Sequence, residues 1–130
     1  MKINRNNYYY NKNFNMEYNM TLLPEYFDLI KTGKKIYEIR LNKNKKNYIK
    51  INDYIIFSKR PDLKEKIKVI VEKIDLFPTF LEMINKLNKN EIGFKNKSNE
   101  EIIKIYKDIY PNEEEEKNYG VIAYKIKLIK

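Results

Sequence analysis

The sequence predicts an α+β domain, a small curled sheet or β-barrel with peripheral helices, on three observations. Stretches that alternate apolar and polar residues outnumber stretches with helical spacing. The helical stretches fall among them in the irregular order β-α-β-β-β-α-α-β, without a run of βαβ units. A chain of 130 residues, 42% of them hydrophobic, is long enough for one core and too short for two comfortable ones. No internal repeat is present.

Residues 1–13 are Asn, Tyr and Lys without apolar period, the composition of an N-terminal arm that is mobile or forms an irregular first strand. The domain proper is expected over residues 14–130, beginning where Phe14, Met16, Tyr18 and Met20 share one side of an extended segment. In LPEYFDLIKTG, Pro24 suits a first helical turn, Tyr26, Phe27 and Ile30 recur at helical spacing, and Gly33 terminates the helix. KIYEIRL is then extended, with Tyr37, Ile39 and Leu41 toward the core and Glu38 and Arg40 together on the other face. IKINDYIIF reads as a strand, an Asn52-Asp53 turn and a second strand, because Asn and Asp tolerate the left-handed conformation of a tight turn. After the polar turn SKRPDLKEK, the strand IKVIVEKIDLF sets Ile67, Val69 and Val71 against Lys68 and Glu72.

Two helices follow. Thr79 with Glu82 and Ser98 with Glu101 match the capping box, in which a hydroxyl and a later carboxylate satisfy free helix-start amides. Phe80, Ile84 and Leu87 line the first helix, and Ile102, Tyr106 and Ile109 line the second. The polar stretch NKNEIGFKNK connects them. A closing strand starts at Gly120, with Ile122, Tyr124, Ile126 and Leu128 inward and Lys125 and Lys127 outward.

Composition narrows the function classes. Twenty-seven Lys and Arg against 18 Asp and Glu give a formal net charge of +9, which favours an anionic partner. Eighteen Asn, with abundant Ile, Lys and Tyr, are also what AT-rich codon usage produces, so only clustered charge is informative. With no Cys and no His, disulfides, Cys/His zinc sites, thiol nucleophiles and imidazole-based triads are excluded. Any catalysis must use Lys, Glu, Asp, Tyr, Ser or Thr. No apolar run approaches the roughly 18 residues of a membrane span, and the first residues lack the apolar centre of a signal peptide. A cytoplasmic protein without membrane contact is expected. The run EEEE at 113–116 reads as a solvated helix end or turn, since consecutive carboxylates rarely converge on one ion. No metal or cofactor is expected.

The charge is clustered just after the first helix. Arg40 offers a planar fork for a phosphate or a base edge, Lys35 a mobile point charge, and Glu38 a carboxylate that orients Arg40 or accepts from an exocyclic amine. The plain alternative is an exposed Glu38/Arg40 pair of little energetic consequence. Beyond it Lys43, Lys45, Lys46 and Lys50 surround Tyr48, a basic loop suited to phosphate contacts and base stacking, or else a solvated loop whose tyrosine turns into the core.

The spacing Gly33, Lys35, Glu38, Arg40 resembles the G-x-K-x-x-E-x-R signature of the ASCH domain, a family with a PUA-like β-barrel. MTLLPEYFDLIKTGKKIYEIRL is similar to the family's opening strand, helix and motif strand, and IKINDYIIF to its barrel hairpin, with Asn52 where Gly is usual. FPTFLEMI and EEEEKNYGVIAYKI extend the resemblance over roughly residues 14–129. It implies a cleft floored by the motif strand and the binding of RNA or a nucleotide-like ligand, so that the expected ligand-binding residues are Lys35, Glu38 and Arg40 of the motif with Lys43, Lys45, Lys46 and Tyr48 of the basic loop. One branch of the family hydrolyses N4-acetylcytidine with a Lys and a Thr on this motif and a Glu on a neighbouring strand. Lys35 and Glu72 match that Lys and Glu, but Glu38 stands at the Thr position, and a carboxylate does not replace a hydroxyl nucleophile. Three functions remain open: a nucleotide or RNA binder, a hydrolase using Lys35 and Glu72 as catalytic acid and base, and an interaction module for an acidic protein.

Overall fold

The computed structural model describes residues 15–43 and 48–130. The expected arm over 1–13, Phe14, Lys45 and Lys46 lie outside the described residues. Among these the order is β1 (Glu17–Leu22), α1 (Pro24–Lys31), β2 (Tyr37–Leu41), β3 (Tyr54–Lys59), β4 (Lys66–Phe77), α2 (Phe80–Lys86), α3 (Asn99–Ile109), α4 (Glu113–Tyr119) and β5 (Val121–Leu128). The strands form one curled half-barrel sheet in the order β1-β3-β4-β5-β2, the mixed α+β architecture that the alternating stretches predict. β1 pairs with β3 in parallel, and every other pairing is antiparallel. A register shift between Val71 and Lys73 lets the long β4 bend, as an extra residue on one strand does.

Two apolar clusters lie on the two sides of the sheet. Leu22, Phe27 and Ile30 meet Ile55, Phe57, Val69, Val71 and Ile126 in one. In the other, Ile39 and Leu41 of β2 and Val121 and Ala123 of β5 are covered by Phe80, Met83 and Ile84 of α2 and Ile102 and Tyr106 of α3. β5 is therefore buried on both faces from Val121 to Tyr124. Alternation assigned it one inward face because Lys125 and Lys127 set its visible period, whereas its first half is the near-continuous apolar run of a doubly covered strand.

Several local expectations are met. Gly33, at φ +81°, ends α1 in a conformation that side chains avoid, and Asn52 takes the left-handed turn position at φ +76°. At α3 the capping box is complete, with Glu101 N donating to Ser98 Oγ (3.1 Å) and Ser98 N to Glu101 Oε1 (2.8 Å). At α2 only the hydroxyl half is present among the described residues. Glu82 N donates to Thr79 Oγ1, and Phe80 N donates instead to Glu116 Oε2 at 2.7 Å.

Two expectations need correction. The acidic run is a helix end as expected, the first turn of α4, but only Glu113 and Glu114 are exposed: Glu116 caps α2, and Glu115 pairs with Lys43 at 2.6 Å. The first arm of IKINDYIIF forms no strand. β3 already has β1 on one side and β4 on the other, so no edge remains for a hairpin partner. The segment is fixed instead by the buried Asp53 carboxylate, which accepts from Lys50 N (2.8 Å) and Met16 N (3.0 Å).

Candidate functional site

The edge strands β1 and β2 approach each other where Arg40 Nη2 donates to the Thr21 carbonyl at 3.3 Å. Against this seam lies a cavity of about 240 Å³. Lys35, Glu38, Ile39 and Arg40 line it from β2 and its lead-in, and Thr21, Leu22, Leu23 and Tyr26 from the end of β1 and the start of α1. Opposite them stand Ile92 and Phe94 of the α2–α3 connection and Tyr106, Ile109 and Tyr110 of α3 and its C-cap, with Arg60 completing the wall.

Alternation along β2 puts Glu38 and Arg40 on the face away from Tyr37, Ile39 and Leu41, as the sequence predicts. The predicted pair is not exposed. Glu38 is 4% and Lys35 5% accessible. Glu38 Oε2 accepts from Arg40 Nε at 2.6 Å, its Oε1 lies 3.3 Å from Lys35 Nζ, and Lys35 Nζ also donates to the Tyr37 carbonyl. Gly93 makes room for this lysine. A Cβ there would come within 3.0 Å of Lys35 Cδ, and its φ of +95° already disfavours a side chain. The α2–α3 connection also holds the lead-in backbone, because Ile36 N and Tyr37 N both donate to the Glu91 carbonyl.

Burial pushes the Glu38 carboxyl up, but Lys35 and Arg40 outweigh it and hold the group below the usual glutamate range. Burial draws the Lys35 ammonium below the usual lysine range, with Glu38 offsetting part of that effect. For Arg40 burial also works against the charge, and Glu38 reverses the net direction. One carboxylate thus holds the buried Lys35 and the half-buried Arg40 in place. Around it Tyr26, Tyr106, Tyr110 and Tyr124 all have phenols raised above their ordinary value, first by burial, and remain neutral hydrogen-bonding groups. Phe80 stacks on Tyr106 (4.2 Å between ring centres) and Tyr110 (5.9 Å), so α2 fixes the aromatic wall.

A second cavity of about 640 Å³ adjoins the first, and Arg40 and Tyr110 line both. Its other walls include Tyr18, Asn19, Asn42, Lys43 and Tyr124.

Of the residues expected at the site, Lys35, Glu38 and Arg40 come together in the first cavity, and Lys43 lines the second while paired with Glu115. Tyr48 is 59% accessible and lines neither cavity, so it does not turn into the core, and its carbonyl accepts from Tyr18 Oη. Glu72 is exposed at the register shift of β4 and lines neither cavity. Alternation along β4 turns it to the exposed face, opposite the buried Val69 and Val71. Sequence reading missed Arg60, Tyr26, Tyr106 and Tyr110. The tyrosines sit at helical core spacing, and only Ile109, 51% accessible despite its place in the apolar stripe of α3, departs from a core pattern. Among the described residues there is no group of three or more acidic side chains placed to hold a metal ion, and no helix long and apolar enough to cross a membrane.

A curled five-stranded half-barrel with four helices is the mixed α+β architecture of a PUA-like domain. Residues 20–130 match the model of the ASCH domain, and the chain belongs to that family. Its structure is similar to that of hypothetical protein PH0355, 41% identical, with a TM-score of 0.77 over 88% of this chain and 100% of that one. It is likewise similar to PF0455 from Pyrococcus furiosus, 36% identical, with a TM-score of 0.69 over 88% of this chain and 99% of that one. ASCH from Zymomonas mobilis shares the fold at 16% identity, with a TM-score of 0.56 over 84% of this chain and 65% of that one. No significant relative is found among curated proteins.

Proposed function

We propose that this ASCH domain binds RNA or a nucleotide-like ligand, taking a base or nucleoside into the seam cavity with its phosphate on Arg40 and Arg60. The observation that carries the proposal is the buried Glu38, clamped between Lys35 and Arg40 in the wall of a cavity whose opposite side is tyrosine. Three cations against one carboxylate favour an anion, and neutral phenols and phenylalanine rings favour a flat apolar group beside it. A volume near the lower limit of ligand clefts, roughly 300–1,000 Å³, suits one base rather than an extended cofactor. Lys45 and Lys46 would add phosphate contacts that carry affinity and no sequence information, whereas Lys43 is already paired with Glu115.

The hydrolase reading has less support. It requires Lys35 and Glu72 within reach of one substrate, and Glu72 lies outside both cavities. An acidic protein partner gains no specific support, because a cavity of this size does not recognise a protein surface. The test is calorimetric titration of nucleotides and short single-stranded RNAs at several salt concentrations, with Arg40→Ala as control. Saturable binding that Arg40→Ala weakens supports the reading, and the absence of any binding at low salt ends it. The same protein incubated with N4-acetylcytidine is expected to leave it intact, and rapid conversion to cytidine would restore the hydrolase.

A further inference from the structure

We propose that the ligand is a dinucleotide step of single-stranded nucleic acid, with one nucleoside in the inner cavity, its neighbour in the outer cavity, and the phosphodiester between them on Arg40. This rests on the nucleotide reading above and specifies the class of molecule that fills the whole seam. The two cavities adjoin and share two wall residues, Arg40 and Tyr110. A ligand confined to the inner one would leave the larger, 640 Å³ compartment beside it unused.

The hydrogen-bonding state of Arg40 marks the position of the link. Nε is committed to Glu38 at 2.6 Å, Nη2 makes a long 3.3 Å bond to the Thr21 carbonyl, and among the described residues no hydrogen bond ends on Nη1. A phosphate oxygen can therefore take Nη1 and share or replace the Thr21 contact without disturbing the pair with Glu38. Glu38 fixes the plane of the guanidinium, so the fork is already oriented for a two-point contact.

The walls differ in charge as a nucleoside-phosphate-nucleoside unit requires. Inside are Lys35, Arg40 and Arg60 with only Glu38 to oppose them. Outside, Lys43 is paired with Glu115 and Glu17 with Lys68, so these charges are met by the protein itself. Beyond Arg40 at the shared wall, the polar groups that remain there are Tyr18, Tyr110, Tyr124 and the amides of Asn19 and Asn42, which suit a neutral base and sugar rather than a second anion. A paired duplex cannot supply two unstacked neighbouring bases, so the strand must be single.

The test compares uridine and adenosine 5′-monophosphates with UpU and ApA by calorimetry on the intact chain. The dinucleotides are expected to bind about ten-fold or more tightly than the monophosphates, within the range that one further stacked base contributes. Asn42→Trp, which narrows the outer cavity, should bring the ratio of dinucleotide to monophosphate affinity down to about one. Asn19→Trp serves the same purpose from β1, and a cooperative thermal transition reports that either variant is folded. Equal affinity for monophosphate and dinucleotide in the wild type overturns the two-cavity assignment and leaves the nucleotide reading standing. A dinucleotide preference that survives both tryptophan variants overturns it as well. If neither class binds, both readings fall together.

Discussion

Two charge networks in this chain use the same residue types and do different things. On the surface, Lys59 bridges Asp28 (3.0 Å) and Glu65 (3.8 Å), and Lys31 also reaches Glu65, tying α1 to the turn between β3 and β4. All four side chains are at least a quarter accessible, so water competes for each charge and the pairs add little to stability. In the seam, Lys35, Glu38 and Arg40 form an equally compact set, but Lys35 and Glu38 are out of contact with water. Desolvation makes each member depend on the others, and a set of that kind is costly to break even where it is not stabilising as a whole. Burial rather than distance separates a surface tether from a built site.

The sharpest way to break that contrast is to remove the shared carboxylate. Glu38→Ala leaves the buried Lys35 without its counter-ion and is expected to destabilise the fold by about 3 kcal/mol, the lower end of the range for an uncompensated buried charge, as read from urea denaturation. Its pH dependence has a definite sign. Because the folded-state pKa of Glu38 lies below its ordinary value of 4.5, its contribution is fully present above that value and is lost as pH falls through the folded-state pKa. Lys35 runs the other way: its folded-state pKa is lowered, so its burial opposes folding while it is charged, and that cost fades as pH rises through the folded-state pKa toward 10.5. Stability of wild type minus Glu38→Gln, measured from neutral to acid pH, should therefore shrink below about pH 4.5. A flat difference would show that the carboxylate is not held by its cations.

Arg40→Ala comes next, with an expected loss of roughly 1–3 kcal/mol on a preferred ligand and flattened discrimination among ligands, by analogy with bidentate readout. Lys46→Ala, in the basic loop, should weaken all ligands alike and lower the salt slope by about one. If the two variants behave identically, the seam acts only as attractive charge. Gly93→Ala should cost about 1–2 kcal/mol for its left-handed backbone and weaken ligand binding as well, since the new methyl group displaces the Lys35 stem. Unchanged binding would show that the position of Lys35 is immaterial. At the small end, Glu65→Ala should leave the thermal midpoint nearly where it was, and a large drop would mean that the surface network is no mere tether.

The parts of this arrangement legible in the sequence were those set by local periodicity. The alternation of Tyr37, Ile39 and Leu41 placed Glu38 and Arg40 on one face, and Pro24, Gly33, Ser98 and Gly120 marked the boundaries of elements. The burial of Glu38 was not legible, because it depends on the α2–α3 connection and on Tyr106, more than fifty residues away along the chain. Arg60 read as part of a polar turn and reaches the cavity through the fold of the β3–β4 connection, where its N–H donates to the Leu22 carbonyl. Tyr106 and Tyr110 were hidden for the opposite reason: a residue that walls a cavity and packs a core carries the same helical spacing as one that only packs. Glu72 was assigned by resemblance, although alternation along β4 already set it opposite Val69 and Val71. The arm over 1–13 remains a proposal that its deletion would test through the thermal midpoint.

The strand order carries a consequence for how the site comes into being. β2, which bears Glu38 and Arg40, has one hydrogen-bonded neighbour, β5, and the pairing joins Tyr37–Leu41 to Val121–Lys125. The ribosome makes the motif early and its backing strand some eighty residues later. Contacts so distant in sequence are slow to form, and β2 has no other strand on which to settle meanwhile. A growing chain therefore displays the motif long before β2 has a strand to lie on, and the seam closes with β5 rather than with the motif.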